Sequence, residues 1–393
     1  MRAEDIVLLV AFVVAAAGGV GVLWAWLRDR RRRPFLKRFT PEYFEALSFL
    51  LDNQVDRALE VFIELADRDQ DTVEFHFALG SLFRRKGELE RATLIHQNLI
   101  ARPSLSHAQR ELALKELGQD YLRAGLYDRA ETIFIELLDL AAHQAFAARQ
   151  LITIYEQQQD WAQAAALRRR LERITGESER NVIAQYCCEM AEAAAARGDR
   201  QAAAEALDEA RRYARELPRV RLLLARAAVE RGDLAEAAGE YRELLKSEPS
   251  LAELAMPPLA AIFPAGAAAE EFDESVRRAL AAGPNAVFSI ATVGFKYPDL
   301  RSPAVLEAVE SELFRLLSPY SDQDIAPLMD SHETRATFIP LVSNWVGRRS
   351  LYQCRDCGFQ AHEIYWHCPG CRGWDTMRMR RDVFPQPGVE PVP

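Results

Sequence analysis

The sequence predicts a mainly α-helical protein: a solenoid of paired helices, with one membrane-spanning helix ahead of it and a small four-cysteine metal module behind it. Three observations carry this expectation. Residues 6–27 are 22 consecutive uncharged residues, a small residue recurs at intervals of 34 to 39 through the middle of the chain, and four of the six cysteines fall within 18 residues near its end. With 393 residues, 49% hydrophobic and 27% charged, the chain can fill more than one core and does not have the composition of a disordered protein.

The apolar run IVLLVAFVVAAAGGVGVLWAWL would extend roughly 33 Å as a helix, enough to span a hydrocarbon core. Arg28, Arg30 to Arg33, Lys37 and Arg38 follow it, whereas Arg2, Glu4 and Asp5 precede it. A cleaved leader would carry its charge in front. The asymmetry predicts a retained anchor over 1–27, a basic juxtamembrane segment over 28–38 and the bulk of the chain in the cytoplasm. Trp24 and Trp26 fall where the span meets the inner headgroups. Gly18, Gly19 and Gly21 permit close helix contact without the spacing of a strong dimer motif, which leaves a homo-oligomer as an open alternative. Residues 39–393 hold 41 basic and 55 acidic residues, a net of −14. Such an acidic body argues against nucleic-acid binding.

From residue 39 the chain reads as helix after helix. Ala58, Ala92, Ala130, Ala164, Ala203 and Ala237 each open the second helix of a pair, at intervals of 34, 38, 34, 39 and 34. Thirty-four is the tetratricopeptide period, and an ordinary bundle gives no reason for it. Leu79, Gly80, Phe83 and Ala92 fit that pattern, as do Leu117, Gly118, Tyr121, Ala130 and Phe134. The repeats are expected over 39–250. The fourth departs from the pattern, because Ile152 takes the small-residue position, and looser or shifted packing is expected there. Residues 251–347 lose the repeat's aromatics and read as degenerate repeats or a helical cap. First helices line the groove of such an array, which makes Arg84, Arg85, Arg123, Arg149 and Arg226, interleaved with Phe77, Leu122 and Leu222, candidates for holding an acidic or amphipathic peptide.

Cys354-x2-Cys357 and Cys368-x2-Cys371 have the spacing of two metal knuckles. One ion, zinc or iron, is expected on these four thiolates within a module over 348–384, followed by a flexible tail over 385–393. Gly358 permits the first tight knuckle and Pro369 stiffens the second. Tyr352, Phe359, Tyr365, Trp366 and Trp374 supply a miniature core too small to stand without metal. His362 and His367 lie in the loop but are not needed as ligands. Cys187 and Cys188 sit in an Ala-rich helical stretch and read as small apolar packing. No G-x-S-x-G, P-loop, H-E-x-x-H or dinucleotide fingerprint occurs, and no enzymatic activity is expected.

The C-x-x-C-G and C-P-x-C signatures resemble rubredoxin, with a far shorter intervening loop. Two alternatives to an adaptor follow from the module alone. One is electron transfer or another metal-dependent scaffold role at the inner membrane. The other is a nucleic-acid-binding ribbon using Arg372, Arg378, Arg380 and Arg381, which the acidic body disfavours. Anchor, basic run, repeat array and the terminal CRDCGFQAHEIYWHCPGC, in that order, resemble the lipopolysaccharide assembly protein B family of Gram-negative inner membranes. The resemblance implies an adaptor that regulates lipopolysaccharide synthesis by bringing the committed-step deacetylase to the membrane-bound FtsH protease, beside other inner-membrane lipopolysaccharide assembly proteins. It further implies metal ligands Cys354, Cys357, Cys368 and Cys371, a rubredoxin-like module packed on the repeats, and no catalytic residue.

Overall fold

The computed structural model describes residues 41–68, 72–262, 350 and 352–380. The apolar run, the basic segment, residues 263–347 of the expected cap and the tail lie outside the described residues. Among those described, no helix is long and apolar enough to cross a membrane.

The described helices follow one another as six pairs. They are α1 (Pro41–Leu51) and α2 (Val55–Arg68), α3 (Val73–Lys86) and α4 (Leu89–Ile100), α5 (His107–Arg123) and α6 (Tyr127–Leu138), α7 (Gln144–Gln158) and α8 (Trp161–Thr175), α9 (Arg180–Ala196) and α10 (Arg200–Ala214), and α11 (Pro218–Arg231) and α12 (Leu234–Ser247). A further helix, α13 (Ala252–Ile262), follows a single 3-10 turn.

The same turn ends the first helix of every pair. Asn53, Gly87, Gly125, Gln159, Gly198 and Gly232 all have φ between 57° and 87°, and each stands five residues ahead of the recurring alanine. A left-handed residue there stops the helix, and glycine takes that conformation without a Cβ clash. Asp160, Asp199 and Asp233 then cap the next helix by accepting the backbone N–H of Gln163, Ala202 and Glu236 at 3.1, 3.0 and 3.0 Å, which satisfies donors that the helix itself leaves free.

The recurring alanine is the fourth residue of each second helix. It is fully buried at Ala58, Ala92, Ala130, Ala164 and Ala237 and only half-buried at Ala203. Twelve residues earlier, Ala46, Gly80, Gly118, Ile152, Ala191 and Ala225 are buried on the first helices. Two glycines in this set mark the closest helix approaches. A Cβ on Gly80 would lie 2.5 Å from His96 Nε2, and one on Gly118 would lie 2.7 Å from Phe134 Cε1.

The chain divides into two compact units, residues 1–154 and 155–393. The division falls inside α7, two residues past Ile152. In the first unit Ala46, Leu59, Phe62, Phe75, Leu82 and Phe83 form an apolar core, and a polar chain runs beside it. His96 Nδ1 lies 2.5 Å from Asp120 Oδ2, and Asp120 Oδ1 accepts from Arg84 at 2.8 Å. His96 and the Asp120 carboxylate are fully buried. The core of the second unit gathers Ile183, Tyr186, Cys187, Cys188, Leu207, Val220 and Leu223. Burial pushes both the Cys187 and the Cys188 thiols up to about 12, so these cysteines pack as small apolar groups.

Candidate metal centre

The terminal module is a three-stranded antiparallel sheet of β1 (Tyr352–Cys354), β2 (Gln360–Ala361) and β3 (Met377–Met379), in the order β2-β1-β3. Tyr352 stands opposite both Ala361 and Met379. Two knuckles repeat each other at an offset of 14 residues. In the first, Cys354 N–H donates to Phe359 O at 2.8 Å and Gly358 N–H to Cys354 O at 2.9 Å; in the second, Cys368 N–H donates to Gly373 O at 2.9 Å and Arg372 N–H to Cys368 O at 2.8 Å. Gly358 (φ 76°) and Arg372 (φ 60°) occupy the same left-handed position. Only the first has the glycine that the turn favours.

These turns bring all four sulfurs within 4.8 Å of one another. Cys354 Sγ is 3.6 Å from Cys371 Sγ, and Cys357 Sγ is 3.7 Å from Cys368 Sγ. Thiolates around tetrahedral zinc, at about 2.3 Å from the ion, stand about 3.8 Å apart, so the two close sulfur pairs match the spacing that one ion requires. Electrostatics agrees with this fit. Burial opposes the Cys354 thiolate, but the Thr376 hydroxyl and the amides of Cys357 and Asp356 outweigh it and bring the thiol down to about 6. The Gly373 amide favours the Cys371 thiolate, yet desolvation and the neighbouring sulfurs push it up to about 12. Four crowded thiolates therefore need a cation to coexist. The donor set suits zinc and iron alike.

Cys354 and Cys368 are buried, whereas Cys357 and Cys371 are exposed. The core of the module is Tyr352, Cys354, Ala361, Cys368 and Met377, with Ile364 packed on it. Tyr352 belongs to it as expected, whereas Phe359, Tyr365, Trp366 and Trp374 are not among its buried residues. Phe359 and Tyr365 are 36% and 44% exposed and meet each other edge to face, because the sulfurs fill the centre that the aromatics would otherwise take.

Trp374 turns the other way, onto the helices. It stacks on His367 at 4.2 Å and 8°, and meets Trp161 and Tyr186 edge to face at 5.7 Å and 5.5 Å. A lone β-bridge pairs His367 with Trp374, at the position where the first knuckle pairs Gln353 with Gln360. The Tyr186 phenol accepts from Arg168 Nε at 3.0 Å and donates to Glu156. Arg168 also holds Glu179 at 2.7 Å and Glu156 at 3.3 Å. Burial holds His367 below the ordinary imidazole range. It stacks on Trp374 and meets Trp161 edge to face at 6.5 Å, which makes it a docking residue.

The expected groove arginines differ in their surroundings. Arg84 is spent inside the first unit on Glu116 and Asp120, with 13% of its side chain exposed. Its position is set by charge pairing between successive repeats. Arg85, Arg123, Arg149 and Arg226 are exposed, Phe77 and Leu122 are half-buried, and Leu222 is core. Of the basic strip, Arg378 pairs with Asp375 at 3.2 Å and Arg380 donates to Gln360 at 2.9 Å; Arg372 is exposed, and Arg381 lies outside the described residues. Sequence reading missed His96 and Arg168. Both stand four residues after the recurring alanine, where Phe62, Phe134 and Tyr241 hold the aromatic position, and a position-by-position comparison of the repeats would have exposed them.

Family models match a repeat array followed by a metal module. A family model described as a rubredoxin metal binding domain matches residues 352–378, and a tetratricopeptide repeat model matches 43–103, 115–179 and 188–252. The chain is 30% identical over 382 residues to Lipopolysaccharide assembly protein B of Escherichia coli K12, covering 93% of this chain and 97% of that protein. It is 26% identical over 383 residues to the Haemophilus influenzae protein of the same name, covering 91% and 96%. Among solved structures, the C-terminal part of a tetratricopeptide-repeat protein from Cytophaga hutchinsonii aligns at 13% identity with a TM-score of 0.37, covering 72% of this chain and 97% of that one.

Proposed function

Because this chain belongs to the lipopolysaccharide assembly protein B family, we propose that it is a non-enzymatic, membrane-tethered adaptor that presents the committed-step deacetylase of lipopolysaccharide synthesis to the FtsH membrane protease. The observation that carries the reading is the seat of the metal module on the repeats. Trp374 meets the stacked Trp161 and Tyr186 rings edge to face, so the four-cysteine site braces a protein surface. Cys354, Cys357, Cys368 and Cys371 would hold the ion, which when bound ties the two knuckles together.

The tether is supported by residues 6–27 and by the basic residues after them, which favour a cytoplasmic body at the inner membrane. Tethering confines adaptor, protease and substrate near one surface, so that modest affinities suffice. Depleting the protein in its native host tests the reading: the deacetylase should persist longer and lipopolysaccharide should rise. An unchanged deacetylase half-life would refute the presentation role. A carboxy-terminal reporter active only in the periplasm would refute the topology.

A further inference from the structure

The two knuckles repeat each other in backbone but differ in what surrounds them. Each buries its first cysteine and exposes its second. Only the second knuckle is bracketed by the docking residues, His367 just before Cys368 and Trp374 three residues after Cys371. The bonds that shape this knuckle, Cys368 N–H to Gly373 O and Arg372 N–H to Cys368 O, therefore also aim Trp374 at Trp161 and Tyr186. The same loop serves as a ligand arm and as a latch.

We propose that Cys357 and Cys371 are sites of oxidative modification by hydroperoxides, and that their oxidation expels the ion and releases Trp374 from its seat on α8 and α9. The inference rests on the reading that the four thiolates hold a metal ion. Peroxide reaches the exposed sulfurs first, since Cys354 and Cys368 are 1% and 0% exposed. With hydrogen peroxide, an attacked sulfur, such as that of Cys371, forms an S–O bond as the O–O bond breaks, and the departing hydroxide takes a proton to become water; an organic hydroperoxide releases its alcohol instead. The sulfenic acid stands beside a resolving thiolate across the knuckles: Cys354 is 3.6 Å from Cys371, and Cys368 is 3.7 Å from Cys357. Attack by that thiolate forms the S–S bond, and the sulfenic oxygen leaves as a second hydroxide and is protonated to water. Two thiolates have then supplied the electron pair that reduces one peroxide. The remaining two sulfurs no longer make a closed four-ligand site.

Cys187 and Cys188 are internal controls, because they are fully buried. The experiment uses the full chain in detergent micelles, loaded with zinc, which has no redox chemistry of its own. Hydrogen peroxide is added in the presence of a chromogenic zinc chelator, disulfides are mapped by mass spectrometry, and amide exchange is followed over residues 161–196. The expected result is zinc release in step with loss of two thiols, a Cys354–Cys371 or Cys357–Cys368 disulfide, and faster exchange in α8 and α9 that dithiothreitol plus zinc reverses. Thiol loss without zinc release, a disulfide within one knuckle, or release with unchanged exchange would each overturn the inference. Failure to load zinc at all would instead overturn the metal reading on which it rests.

Discussion

Replacing Trp374 with alanine should free the metal module from α8 and α9 while leaving the ion bound. Trp374 is half-buried, and its cross-module contacts are the edge-to-face pairs with Trp161 and Tyr186. An aromatic that withdraws about 100 Å² from water contributes about 2.5 kcal/mol. Two edge-to-face pairs add about 0.5–1 kcal/mol each. The sum, about 4 kcal/mol, shifts a docking equilibrium by about three powers of ten at 1.4 kcal/mol per decade. Amide exchange in the full chain reads this directly: α9, which carries Tyr186, should lose protection, while elemental analysis of the same sample still finds the metal. Trp374→Phe keeps a ring in the seat and should fall between wild type and alanine. Unchanged protection of α9 in metal-bound Trp374→Ala would refute the seat as the link between module and repeats.

Three further outcomes follow from the packing. Gly118→Ala adds a Cβ 2.7 Å from Phe134 Cε1, an overpacking cost of about 1–3 kcal/mol against a helix-propensity gain of about 1 kcal/mol, so it should lower Tm. Gly239→Ala in α12 meets nothing within 4 Å and should raise Tm through a gain of about 0.8–1 kcal/mol; a common sign for the two would contradict the close-approach account. Arg84→Glu leaves the buried Asp120 without its cation and should cost about 3–5 kcal/mol in denaturant titration, whereas Arg85→Glu on the exposed face should stay within about 0.5 kcal/mol. Native Cys187 and Cys188 should resist iodoacetamide at pH 8, because burial pushes both thiols up to about 12. An unfolded thiol ionises near 8.5, so their contribution to stability is complete below that pH and lost as pH rises toward 12; rapid alkylation of the native protein would contradict their burial.

The repeat array was legible because its determinants are local. One alanine at the fourth position of a helix and a turn residue five places earlier recur at readable intervals, and each acts within its own helix pair. The paired cysteines were legible for the same reason, since each knuckle closes over five residues. What could not be read depends on partners far along the chain. Arg84 looked like a groove residue until Glu116 and Asp120 of the next repeat were in place, 32 and 36 residues on. Phe359 and Tyr365 looked like core because their hydrophobicity is visible in sequence, while the volume of the sulfur cluster is not. The direction in which Trp374 faces is fixed by α8 and α9, roughly two hundred residues away in sequence.

One departure of the fourth repeat then acquires an explanation. Besides Ile152 in the small-residue position, this repeat carries Gln159 where four others have glycine and Arg168 where three others have an aromatic ring. A phenylalanine at 168 would fill space and leave the Tyr186 hydroxyl without its donor. Arg168 instead fixes that hydroxyl from one side while Glu156 accepts from the other, so the Tyr186 ring is held stacked on Trp161 at 5.6 Å and 27°. Those two rings are the walls that receive Trp374. A repeat optimised only to stack on its neighbours would keep the consensus residues. This one gives up an apolar filler for a part-buried ion and hydrogen-bond network, a choice that favours a unique geometry over maximal burial. The irregular repeat shares with α9 the seat of the metal module.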